Sequence, residues 1–158
     1  MDFVAPESPQ EKAVTLTSGN FWPAINTAEF REQMRIDGTV TQKRLLPALK
    51  NALIETHRIL FQWQQQEQRL GYTTLDSIPA QTIQEGDLRE SELVYLHRRA
   101  VFCLAKASLT ERYRDIDTTP NGSKKADALD PTIDDLQRDA TWAMQRIQGT
   151  THNIVELI

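Results

Sequence analysis

Three stretches of this chain repeat apolar residues at intervals of three and four. At positions 45, 46, 49, 52, 53, 56, 59, 60, 63 and 70 the spacing is that of one long helix with a single buried face. Leu93, Val94, His97, Ala100, Val101, Leu104, Ala105 and Ser108 mark a second such stripe, and Ile133, Leu136, Ala140, Ala143, Met144 and Ile147 a third. Helices that each carry one apolar stripe bury it by packing on one another. The expected fold is therefore all-α: a bundle of three long helices plus a short N-terminal one, with Leu104 and Leu136 among its buried residues.

Local signals place the ends of these elements. Thr27 caps a short helix that runs to about Ile36, and Asp37-Gly38 stops it. A start at Thr39 or Thr41 opens the first long helix, in which Pro47 predicts a mild kink or a later beginning, and Gly71 ends it. The linker from Thr73 to Gly86 is mostly polar; Asp87-x-x-Glu90 then reads as a capping box ahead of a helix to about Arg114. Asp115 to Ala128 reads as an exposed loop, and Asp130-Pro131 as the start of the third long helix, which Gly149 closes.

Residues 1–26 mix Pro6, Pro9 and Pro23 with Ser, Thr and Gly and show no sustained period, so they are expected to form a flexible arm anchored only by Phe21-Trp22. Residues 27–149 form the helical domain. Residues 150–158 form an extended tail, and Ile154, Val155, Leu157 and Ile158 make it more apolar than a free terminus would be. Such a strip suits addition to a sheet edge in another subunit, with packing back onto its own bundle a comparable alternative.

Composition excludes several functions. With 158 residues the size fits one domain, and a core of ordinary extent is available. The single cysteine, Cys103, forms no intramolecular disulfide and supports no Cys-rich metal site, which fits a reducing cytoplasm. No apolar run approaches the length of a membrane helix, and no secretory signal is visible, so a soluble protein that is not exported is expected. Net charge is −4, with a pI near 5.4, and lacks the basic footprint of a duplex-binding protein. The same charge suits a surface past which DNA slides without sticking.

No catalytic constellation is visible. A di-iron bundle needs Glu-x-x-His on two helices, but the residues three before His57, His97 and His152 are Ile54, Val94 and Gly149. His97 lies on its helix's apolar stripe and reads as a hydrogen-bonded core imidazole. Phosphate loops, nucleophile elbows and zinc-protease motifs are absent. Asp134-Asp135 and Glu90/Glu92 are explained by the preference for carboxylates near helix starts. No enzyme activity, cofactor or metal is expected.

One region carries a resemblance. Ala-Ser-Leu-Thr-Glu-Arg-Tyr-Arg-Asp from Ala107, then Gly122-Ser123-Lys124-Lys125-Ala126-Asp127, then Asp130-Pro131-Thr132-Ile133-Asp134-Asp135-Leu136 resemble the head completion (GPL) family of temperate contractile-tailed bacteriophages. Downstream, Arg138-Asp139, Trp142-Ala143 and Arg146-Ile147-Gln148 extend it. Upstream, Met34-Arg35, Thr39-Val40, Gly71-Tyr72-Thr73, Pro79-Ala80 and Arg99-Ala100-Val101 do the same, so that it spans roughly residues 27 to 158.

The resemblance implies a connector adaptor that assembles as a ring beneath the dodecameric portal protein once the head is filled. There it extends the channel, stabilises the packaged double-stranded DNA without reading its sequence, and offers a docking surface to the tail-completion or tail-terminator protein. The virion head-tail junction is the implied location, reached from the host cytoplasm. On this reading Ile154, Val155, Leu157 and Ile158 attach to the portal, and Lys124 and Lys125 are a candidate DNA-proximal loop, although adjacent lysines in a Gly/Ser loop serve solubility first. The rival reading is a cytosolic helical interaction module or regulator outside the virion.

Overall fold

The computed structural model describes the backbone of residues 11–116 and 120–149 and the side chains of residues 11–112 and 133–149. Among these the fold is mixed, with five α-helices, a single 3-10 turn and two small antiparallel sheets. The expectation of an all-α bundle of three long helices is corrected by both sheets and by the division of the first long helix.

The first sheet lies where a flexible arm was expected. Strand β1 (Thr15–Leu16) pairs with β2 (Ile25–Asn26), in register Thr15 to Asn26 and Leu16 to Ile25. Between them Phe21 and Trp22 are buried, and Ile25 beside them is 1% exposed. Three large apolar side chains within five residues recover enough hydrophobic free energy to order this segment, about 2 kcal/mol each. Asn26, not Thr27, caps the short helix α1 (Thr27–Gln33), its Oδ1 accepting from the Ala28 and Glu29 amides. Thr27 is buried instead, and its Oγ1 accepts from the Val14 amide at 2.9 Å. α1 ends at Met34, ahead of Asp37-Gly38, because Arg35 takes the left-handed conformation (φ 52°) in which helices commonly terminate.

α2 (Gln42–Ile59) begins where expected and contains Pro47 within its exposed early turns. Thr41 makes no side-chain cap. The Glu11 carboxylate, from the N-terminal segment, accepts from the Gln42 amide at 2.6 Å and from Arg31, so a residue far away in sequence supplies the anion that a helix N-terminus favours. The stripe continues past residue 59, but the helix breaks at the fully buried Leu60 and resumes as α3 (Phe61–Arg69). Packing of Leu60 in one cluster with Phe21, Trp22 and Leu75 accompanies the change of direction. Gly71, at φ 100°, follows the end of α3 as expected.

The Asp87-x-x-Glu90 capping box is not formed. Strands β3 (Thr82–Glu85) and β4 (Leu88–Ser91) pair around Gly86-Asp87, with Glu85 opposite Leu88, and Gly86 supplies φ 59° at the first turn position. Gly-Asp between strand-length segments is itself a hairpin signal. Ser91 caps the next helix instead, its Oγ accepting from the Leu93 amide.

α4 (Glu92–Ile116) is the central element. Its predicted stripe holds in part: Leu93, His97, Ala100, Val101 and Ala105 are buried, whereas Leu104 is half-buried. Phe102, Cys103 and Ala107 on its other sides are buried as well, because α4 is packed from two directions. Against α2, Leu45, Leu49, Ala52 and Leu53 meet Val101, Phe102, Ala105 and Leu109, and Phe30 of α1 meets Phe102 edge-on at 5.2 Å. Against α5, Ala100 and Cys103 meet Ala140 and Ala143, small residues that let two helices approach closely. Lys106 of α4 donates to the Met34 carbonyl at 2.7 Å, closing the C-terminus of α1.

The last helix, α5 (Pro120–Ile147), starts ten residues before Asp130, so most of the predicted loop 115–128 is helical. Proline at the first helical position gives the same start signal at Pro120 as at Pro131. Its buried stripe is the predicted one, Ile133, Ala140, Ala143, Met144 and Ile147, with Leu136 half-buried. Gly149, at φ 72°, follows it.

Candidate functional site

The candidate site residues singled out on sequence have no described side chains. Ile154, Val155, Leu157 and Ile158 lie outside the described residues. Lys124 and Lys125 stand on the first turns of α5 rather than in a loop, and their side chains too lie outside the described part. Among the described residues no group of three or more His, Cys, Asp or Glu side chains could hold a metal ion. No described helix is long and apolar enough to cross a membrane.

The most organised polar cluster joins three elements through two histidines. His57 near the end of α2 and His97 near the start of α4 approach with 2.9 Å between their Nε2 atoms. The indole of Trp22 lies nearly parallel to both rings, at 4.6 Å from His57 and 5.0 Å from His97. Ser18 Oγ stands 3.2 Å from His57 Nδ1. The hydrogen bond between the two Nε2 atoms holds one proton, donated by one ring and accepted by the other, and burial disfavours a second charge-bearing proton on either ring. Burial pushes His57 down to about 4. Burial, reinforced by the charges of His57 and Arg98, pushes His97 down to about 3. His97 Nδ1 is buried without a hydrogen-bond partner. Leaving a bare acceptor there costs less than leaving an N–H, which favours His97 Nε2–H donating to His57 and His57 Nδ1–H donating to Ser18. The cluster is a clasp: it fixes the N-terminal segment to the seam between α2 and α4. The apolar stripe revealed that His97 is internal, but nothing local revealed its pairing across 40 residues with His57.

The second feature is a groove between α4 and α5 with an empty volume of about 430 Å³ that includes open solvent. Tyr95, Leu96, Arg99, Trp142, Ala143 and Arg146 line it, and Asp139 pairs with Arg99 at 3.0 Å. Tyr95 and Trp142 are both exposed, and each has an arginine over its ring, Arg98 at 5.8 Å and Arg138 at 4.8 Å. Arg98 is bidentate to Glu90 of β4, which ties the hairpin to α4, and the carboxylate raises the Arg98 pKa further. Tyrosine, tryptophan and arginine are the side chains that dominate protein-protein contacts. The arginine charges are largely met by their own carboxylates, so the surface suits a protein better than a polyphosphate.

The third feature is exposed apolar area on the opposite flank. Ile54 is 65% exposed on α2, and Phe61 on α3 is 52% exposed. On the hairpin, Ile83 and Leu88 are exposed too.

Comparison with known proteins gives two matches. Residues 16–158 match the family described as phage head completion protein (GPL). The head completion/stabilization protein of Escherichia phage P2 is 44% identical over 138 residues, which is 87% of this chain and 79% of that protein. No solved structure matches the chain.

Proposed function

Since this chain belongs to the phage head completion protein (GPL) family, we propose that it acts as the connector adaptor between the filled head and the tail. Head completion makes it a virion component and a structural protein. On the finer reading, copies bind the portal protein after packaging and form a ring that extends its channel. The ring holds the packaged double-stranded DNA and presents its other end to the tail-completion or tail-terminator protein. The apolar residues Ile154, Val155, Leu157 and Ile158 make the portal attachment. Lys124 and Lys125, on the first turns of α5, stand toward the DNA.

The observation that carries this reading is the family match along nearly the whole chain, from residue 16 to 158. Two physical features support it. A rigid body clasped at Trp22, His57 and His97 leaves exposed aromatic and aliphatic side chains for partners, as an assembly component requires. A net charge of −4 leaves no overall excess of cations to trap passing DNA.

Deleting the gene from the phage tests the placement in time and space. Expanded, DNA-filled heads that carry no tails and lose their genomes on isolation are the expected product, scored by electron microscopy and nuclease protection. Accumulation of unexpanded, empty proheads would place the protein earlier in assembly and end the adaptor reading.

A further inference from the structure

From the two outer helix faces we infer the contact by which copies join into a ring: the outer face of α5 on one copy docks against the outer face of α2 and α3 on the next. This deepens the ring reading above and rests on it.

α4 lies between α2 and α5, which meet each other little beyond the bond from Gln148, just past α5, to the Ile59 carbonyl at the end of α2. The faces that α2 and α5 turn away from α4 therefore point to opposite flanks of the molecule. On α2, Lys43, Lys50, Ile54 and Arg58 are all exposed, and their spacing of seven, four and four places them on one side; Phe61, the first residue of α3 beyond the break at Leu60, is exposed as well. This face is basic, its only half-buried acid being Glu55, which is held by Arg58 at 2.8 Å. It also carries the two large exposed apolar side chains Ile54 and Phe61. On α5, Asp134, Asp135 and Arg138 are exposed on the side opposite the buried stripe, and Trp142 stands at the edge of that side, where it also lines the groove toward α4. Arg138 is already occupied by Asp135 at 2.9 Å and by the ring of Trp142. Net of that ion pair, this flank offers one excess carboxylate near Asp134 and a tryptophan at its edge.

The two flanks match in charge and each has a large apolar side chain. They also match in level. α2 and α5 both run antiparallel to α4: His57 meets His97, and Asp139 meets Arg99. Asp139 consequently stands near the height of Glu55, since two residues of helix rise about 3 Å. A rotation about an axis parallel to the helices keeps every atom at its own height. Such a rotation sets Asp134 and Asp135 beside Lys50 of the next copy, and Trp142 beside Ile54 and Phe61. Because the paired faces are unlike, the contact is heterologous and repeats from copy to copy until the ring closes. Exposed ion pairs contribute little singly, which keeps copies apart until a portal gathers them.

The test uses the full chain on heads isolated from infected cells. The double variant Lys50→Cys with Asp134→Cys, two positions at one height, should give, on oxidation, a ladder of covalent multimers that neither single variant gives; Cys103 is buried and does not compete. Independently, Lys50→Glu should cut the copies retained on heads by roughly tenfold through like-charge contact. Asp134→Lys with Asp135→Lys should do the same, and the three changes combined should restore retention. If electron microscopy shows a wild-type ring while the double-cysteine protein forms no ladder and the charge exchange does not restore retention, this contact is wrong and the ring stands. Crosslinks to a different virion protein overturn it equally. If wild-type heads carry no ring, the ring reading falls and this contact with it.

Discussion

At the scale of single residues, His57 and His97 have the clearest physical consequence. Both have folded pKa values held below the usual 6.5, His57 at about 4 and His97 at about 3, while in the unfolded chain both titrate normally. The unfolded state binds more protons below pH 6.5, so stability contributed by the neutral pair is full above that pH and is lost as pH falls toward the folded values. For the buried His97 the slope approaches about 1.4 kcal/mol per pH unit. Urea unfolding between pH 6.5 and 5, where carboxylates remain ionised, should show stability declining with acid. His57→Gln should roughly halve that slope, and a flat wild-type profile in this window would contradict the clasp. The buried environment of His97 was legible from the spacing of its stripe; the partner and the overlying Trp22 were not, because they come from other elements.

Among the elements, those with strong periodicity were read well and those defined by a few backbone bonds were not. The apolar stripe of α5 was placed at every position but Leu136, which is half-buried, because burying one face of a long helix needs the repeat to persist over many turns. The β3–β4 hairpin was missed although Gly86-Asp87 marks its turn, since β3 is exposed throughout and β4 is buried only at Ser91, which leaves no alternation to detect. The start of α5 was misplaced because Pro120 and Pro131 give the same local signal. At this scale the tail yields a prediction. Truncation after Thr150 removes no described element, so circular dichroism and melting should stay nearly unchanged while co-sedimentation with the portal is abolished. A truncated protein that still binds would remove Ile154, Val155, Leu157 and Ile158 from the attachment.

For the whole molecule, charge decides the relation to DNA. With 22 acidic and 18 basic residues, the chain has no excess of cations with which to displace counterions from a duplex. Negligible affinity for free double-stranded DNA at physiological salt is therefore expected in an anisotropy titration, even though the proposed position is around packaged DNA. Micromolar binding with a steep salt dependence would make the protein a nucleic-acid binder in its own right, and Lys124 and Lys125 the first residues to substitute.

What the sequence by itself determined is the apolar stripe along each long helical stretch, together with the family, because apolar period and the order of residues such as Asp130-Pro131 and Trp142-Ala143 are properties of the chain read along its length. What only the tertiary structure decided is everything that joins residues distant in the chain. Glu11 caps α2, Lys106 closes α1, Trp22 covers His57 and His97, and α4 is buried on more sides than its own stripe indicates. A residue's local pattern reports which side of its element avoids water; which element covers that side depends on how the others fold against it, and no single segment carries that information.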